Sequence, residues 1–273
     1  MKARSMAFIL AHLSIIASGI VFCVLWVAVA VAAALLIHRY VRSEFFEGHY
    51  EQAGFIFAVI GVVYAVMLAF VAIGVWERFD AAESRTYVEA MALVDVYRDA
   101  SVFADGAPVR ADLRNYTELV IHDEWPKMIA LQTSEAASDA AERTAARVDR
   151  LVPVSANEVD VHASMLQSMR TALGERAARV SLGATGLNPI VWIVIVGGAV
   201  VTIGFSFLFP FKRRRMQAIM VGALTFSIVI VLYLATAIDY PFRGDITVAP
   251  HAFEHAISIY DSIDRLGEKP ANR

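Results

Sequence analysis

Near the C-terminus, His251-Ala252-Phe253-Glu254-His255 has the H-x-x-E-H spacing of inverted zinc proteases. On a helix His251 and His255 would share one face, as two ligands to a single zinc ion must. Few residues follow, which leaves little room for a further ligand and a substrate cleft. The expectation is therefore an amphipathic C-terminal helix starting at Pro250, with His251 and His255 as weak metal candidates only. Two denser polar clusters lie upstream. They are Trp76-Glu77-Arg78-Phe79-Asp80 and His122-Asp123-Glu124-Trp125-Pro126, the second with Glu118 one turn earlier. Neither has the spacing of a catalytic constellation, and structural pairing is the expected role. Serine-nucleophile elbows, phosphate-binding loops and dinucleotide fingerprints are missing from the sequence. No enzyme activity and no cofactor are expected.

The elements that must position these clusters are apolar. The 273 residues are 58% hydrophobic and 19% charged, against about 25% charged in an ordinary soluble domain, and the mean hydropathy is +0.56. The net charge of -3 rules out a basic nucleic-acid footprint. The single cysteine, Cys23, sits in an apolar run and reads as a buried apolar residue.

A helix needs about 20 mostly apolar residues to cross the hydrocarbon core. Four stretches without Asp, Glu, Lys or Arg qualify: 15–37, 54–76, 189–211 and 216–238. Residues 5–14 could add an interfacial segment. Short connections pair the spans into two hairpins, within residues 1–76 and 189–238. The remainder is an extramembrane domain over 77–188 and a tail over 239–273. The chain reads as an all-α, multi-pass integral membrane protein with its termini and central domain on the same side. Arg39, Arg42 and Lys212-Arg213-Arg214-Arg215 would put the short loops in the cytoplasm, whereas Lys2 and Arg4 argue for the termini there. Inside the spans Tyr64, Thr202, Ser206, Thr225, Ser227 and Thr236 are expected to hydrogen-bond between helices. Asp239, where the fourth span ends, is expected to cap the exit or to pair with a cation such as Arg78.

The central segment, poor in Gly and Pro, reads as helices. The second span is expected to run on through Arg98, with Val88, Met91, Val94 and Val96 as its apolar stripe. Further helices are expected at about 109–131, interrupted by Pro126, at 135–151 and at 156–182. On the last, Met165, Leu166, Met169, Leu173 and Val180 should face inward.

The second span carries a resemblance. The run from Phe55 to Phe70, continuing through Val75-Trp76-Glu77-Arg78-Phe79, resembles the bestrophin-like membrane proteins of bacteria. Asp123-Glu124-Trp125-Pro126 and Asp239-Tyr240-Pro241-Phe242-Arg243-Gly244 carry the likeness further along the chain. The resemblance implies a homopentameric ion channel of the inner membrane, passing chloride or another small anion, with cytoplasmic termini. It also implies a hydrophobic neck at Val62, Val66 and Phe70, which share a helical face. Trp76, Glu77, Arg78, Asp80, Asp123, Glu124, Trp125 and Asp239 would then serve the pore exit or structural pairing. Pro241-Phe242 is followed by one acidic residue, Asp245, where animal bestrophins place a calcium-binding cluster, so calcium gating is not expected. Two other classes fit the same layout: a pentameric subunit of a proton-driven motor, working with a partner that supplies a membrane carboxylate, and a non-conducting membrane scaffold or sensor.

Overall fold

The computed structural model of the chain describes residues 2–40, 50–209, 213–244 and 246–267. Arg42, Lys212, Asp245 and the end of the tail lie outside the described residues. The helices are α1 (Lys2–Tyr40), α2 (Tyr50–Asp99), α3 (Gly106–Leu119), α4 (Trp125–Ile129), α5 (Glu135–Asp149), α6 (Ala156–Ala184), α7 (Pro189–Ser206), α8 (Arg214–Ile238) and α9 (His251–Gly267). Parts of α1 and α2, and all of α7 and α8, are long and apolar enough to cross a membrane.

Several boundaries differ from the sequence reading, each for a local reason. Residues 5–14 are not a separate segment but the start of α1. Helix α7 ends at Ser206 instead of residue 211. There the N–H groups of Phe207 and Leu208 reach back only three residues, to the carbonyls of Gly204 and Phe205 at 3.1 Å each, and tighten the last turn. The helix expected at 109–131 is broken by a π-helical turn, Val120–Glu124, before the short α4. Pro126 lacks an N–H and its ring crowds the carbonyl four residues back, so the chain widens there. Ser134 caps α5 by accepting from the Ala137 N–H at 3.0 Å, and Ser155 caps α6 by accepting from the Glu158 N–H at 3.2 Å.

The chain divides into two compact units. The membrane unit comprises Met1–Glu77 and Leu187–Asp239. Its α1 runs antiparallel to α8: Ser18 Oγ meets Tyr233 Oη at 2.8 Å near one end, and Ala30 and Ala34 meet Val221 near the other. Helix α2 packs through Tyr64 and Leu68 onto Ile195 and Ala199 of α7 and Ile228 of α8. Contrary to the expected inter-helix bonds, Ser206, Ser227 and Thr236 donate to carbonyls of their own helices. The Tyr64, Thr202 and Thr225 hydroxyls are buried with no partner among the described residues. Close packing over small residues holds the helices together instead. Gly198 is the clearest case, because a Cβ there would lie 2.6 Å from Cδ2 of Tyr64. Gly198→Leu is expected to cost about 1–3 kcal/mol by overpacking, with part recovered in Gly198→Leu/Tyr64→Ala. Thermal unfolding of the detergent-solubilised protein checks this.

The extramembrane unit comprises Arg78–Gly186 and Tyr240–Arg273, so α9 belongs to it. Phe253, Ala256 and Tyr260 of α9 are buried in its core. The Tyr97 and Tyr260 rings stack at 4.0 Å, and Arg110 and Arg114 pair with Asp264 at 3.0 and 3.2 Å. On this part of α2 Val94 and Val96 are buried and Met91 packs against the core, as expected, and Ala82, Thr86, Glu89 and Leu93 are buried with them, whereas Val88 is exposed. Only Val88 departs from the stripe expected from apolar residues, and the charged Glu89 beside it is buried instead. On α6 Met165 and Met169 are buried as expected, but Arg179 rather than Val180 completes that face.

Candidate functional site

On α2, Tyr64, Leu68 and Val75 are buried within the membrane unit. Val62, Val66 and Phe70 lie on the opposite side and are 65%, 50% and 71% exposed. The i, i+4, i+8 spacing aligns them along about two turns of helix. Phe55, Val59 and Ile73 on the same span are exposed too, so α2 offers a wholly apolar face left uncovered by the described residues of its unit.

The cluster at the end of this span stays open. Trp76, Glu77 and Asp80 are exposed. Arg78 Nη2 donates to the Thr185 carbonyl at 2.6 Å, tying the first turn after the span to the end of α6. In the membrane unit Asp239 accepts from the Leu187 N–H at 2.8 Å and from Trp192 Nε1–H at 3.2 Å. These two N–H groups, rather than a cation, satisfy its carboxylate where α8 ends.

The second cluster is built into a buried ionic hub. Arg179, fully buried, forks onto Glu89 through Nε at 2.7 Å and Nη2 at 3.0 Å. Its Nη2 also reaches Glu124 Oε1 at 2.6 Å. Arg176 pairs with the other Glu124 oxygen, and Tyr116 donates to Glu89 at 2.8 Å. The Arg179 guanidinium lies 5.1 Å from the Trp125 ring centroid and 5.4 Å from that of Phe253. Two carboxylates and two guanidiniums thus balance within one set of hydrogen bonds, which is what makes buried charge tolerable. Burial alone would lower the Arg179 pKa, but Glu89 and Glu124 override it and raise it, so the guanidinium stays charged. Burial, reinforced by Glu89, pushes the Tyr116 hydroxyl well above its ordinary value and keeps it a donor. Glu124 and Trp125 stand out in the sequence. Glu89, Arg176 and Arg179 do not, because a charged residue inside a helical pattern reads as surface.

Asp123, next to Glu124, points the other way, to Lys127 at 2.8 Å and to Ser134 Oγ. Those hydrogen bonds hold its carboxyl below the usual carboxylate range. A depressed pKa contributes stability that is complete above the unfolded value and is lost as pH falls through the folded one. Asp123→Asn is therefore expected to flatten the acid side of the stability curve below about pH 4 and to leave its shape unchanged near neutrality. Unfolding midpoints across pH check this. His251 and His255 are exposed; His251 Nδ1 lies 3.1 Å from Glu254. No group of three or more metal-ligating side chains occurs among the described residues.

Four apolar helices with a helical extramembrane unit define an all-α, multi-pass membrane protein. A family model described as the Bestrophin-like domain matches residues 24–253. The chain belongs to the bestrophin-like family. Solved structures share its fold. A bacterial bestrophin homologue from Klebsiella pneumoniae, phased on zinc, is 14% identical with a TM-score of 0.64, over 92% of this chain and 100% of that one. One single-residue variant of a Klebsiella pneumoniae homologue is 16% identical with a TM-score of 0.64, over 91% of this chain and 99% of that one. Another such variant is 12% identical with a TM-score of 0.65, over 90% and 99%. No curated protein matches the chain closely enough to carry an argument.

Proposed function

We propose that the chain is one subunit of an anion channel, a homopentamer in the bacterial inner membrane whose α2 helices surround a common axis. The observation that carries this is the unpartnered apolar face of α2. In a ring of five copies, Val62, Val66 and Phe70 form a narrow neck that closes by dewetting. Trp76, Glu77, Arg78 and Asp80 then lie at the exit of the passage. Asp123, Glu124, Trp125 and Asp239 serve structural pairing behind it. The family relation supports chloride or another small anion as the permeant species, and cytoplasmic termini and extramembrane domain. The test combines chloride efflux from proteoliposomes with a symmetry-resolved image of the purified oligomer. Efflux above that of empty vesicles, with α2 at the centre of a fivefold ring, is the expected result. An assembly with α2 on its lipid-facing perimeter overturns the reading.

A further inference from the structure

Arg213, Arg214 and Arg215 have no role in the conduction reading, and a crevice of about 420 Å³ runs along α7 to Phe207, six residues before Arg213. Helices α1 and α7 both pack on α8, and the crevice lies between them, walled by Phe22, Trp26, Trp192, Gly204 and Phe207 among others. Its wall is almost wholly apolar. Thr236 donates to the carbonyls of Leu232 and Tyr233, and the Thr225 hydroxyl is shut beneath the wall. A surface of that kind rejects polar solutes and suits hydrocarbon. From Trp192 to Phe207 it follows α7 for about 22 Å at 1.5 Å per residue, more than the roughly 15 Å depth of one leaflet.

The two ends differ in charge. At the Trp192 end, Trp192 Nε1–H is held by the Asp239 carboxylate at 3.2 Å, an acidic boundary. On the Phe207 side, Arg213 and the first two residues of α8, Arg214 and Arg215, are exposed and without an ion-pair partner among the described residues. We propose that the crevice holds an acyl chain of an anionic phospholipid, oriented so that its phosphate rests on these arginines. Basic clusters beside a membrane span attract anionic headgroups in this way. The arginines are then lipid contacts and not simply a marker of the cytoplasmic side. The site stands on the membrane unit of a single chain and does not depend on conduction.

The experiment uses tryptophan quenching in the full-length Trp76→Phe protein, which keeps Trp26 and Trp192 in the crevice wall. It is reconstituted with increasing fractions of phosphatidylglycerol or phosphatidylcholine carrying dibrominated chains. Half-maximal quenching is expected at a phosphatidylglycerol fraction on the order of tenfold lower than for phosphatidylcholine. The triple variant R213Q/R214Q/R215Q should keep quenching but bring the two midpoints together. Gly204→Phe should abolish the preference by filling the crevice; it has room to do so, since a Cβ at Gly204 meets nothing within 4 Å. Equal midpoints in the parent protein, a preference that survives either variant, or no quenching by either lipid because a second copy fills the crevice would overturn the proposal.

Discussion

Replacing Val62, Val66 and Phe70 together by alanine is expected to raise chloride efflux from proteoliposomes on the order of tenfold, equivalent to about 1.4 kcal/mol off the barrier. The reasoning is one of wetting. A ring of isopropyl and phenyl groups excludes water, and an ion cannot enter without shedding its own hydration. Truncation to methyl groups widens the ring and lets water through. The three side chains project away from the buried face of α2, and each is at least 50% exposed, so the change should leave the packing of the membrane unit intact. An equal truncation on the buried face, such as Leu68→Ala, should cost stability by leaving a cavity, about 2–5 kcal/mol, without the gain in flux. Unchanged efflux in a triple variant that unfolds at the parent temperature would remove the neck from these positions. It would leave the four-helix layout untouched.

Arg179→Leu should be the most damaging single change in the extramembrane unit. It leaves Glu89 and Glu124 buried after losing the guanidinium that both share. Breaking one side of a buried ion pair typically costs about 3–5 kcal/mol, a large part of the stability of a domain. Arg176 still reaches Glu124, but Glu89 keeps only the Tyr116 hydroxyl among the described residues. Arg179→Lys should fall between the parent and the leucine variant, because an ammonium keeps the charge but cannot fork onto Glu89 and reach Glu124 at once. Circular dichroism melts and the oligomer fraction on gel filtration read the effect. An Arg179→Leu protein that melts with the parent would mean that the carboxylates are solvated, contrary to their burial.

The same hub explains where sequence reading stops. Period and hydropathy locate an amphipathic helix by its apolar residues, so on α2 they select Val88 and miss Glu89, its neighbour on the buried side. Arg179 is hidden in the same way beside Val180. What lets both be buried is not local. The partners lie on α2, α3, the π-helical turn and α6, and the separation of Glu89 from Arg179 in sequence says nothing of their contact. The cluster Asp123-Glu124-Trp125-Pro126 is visible because its members are contiguous, yet its two acids face different partners, as adjacent side chains on a helical turn must.

By itself the sequence determined the four apolar segments, the helical nature of the rest and the family likeness. Those properties are local: a span needs only an uninterrupted apolar run, and its helix satisfies its own backbone in lipid. The tertiary structure decided which face of each helix is covered. It placed Tyr64 against Gly198, leaving Val62, Val66 and Phe70 open, buried Arg179 between two carboxylates, and brought α9 into the core of the extramembrane unit. These choices depend on the volume and charge of residues far apart in the chain, and short-range periodicity carries no record of them.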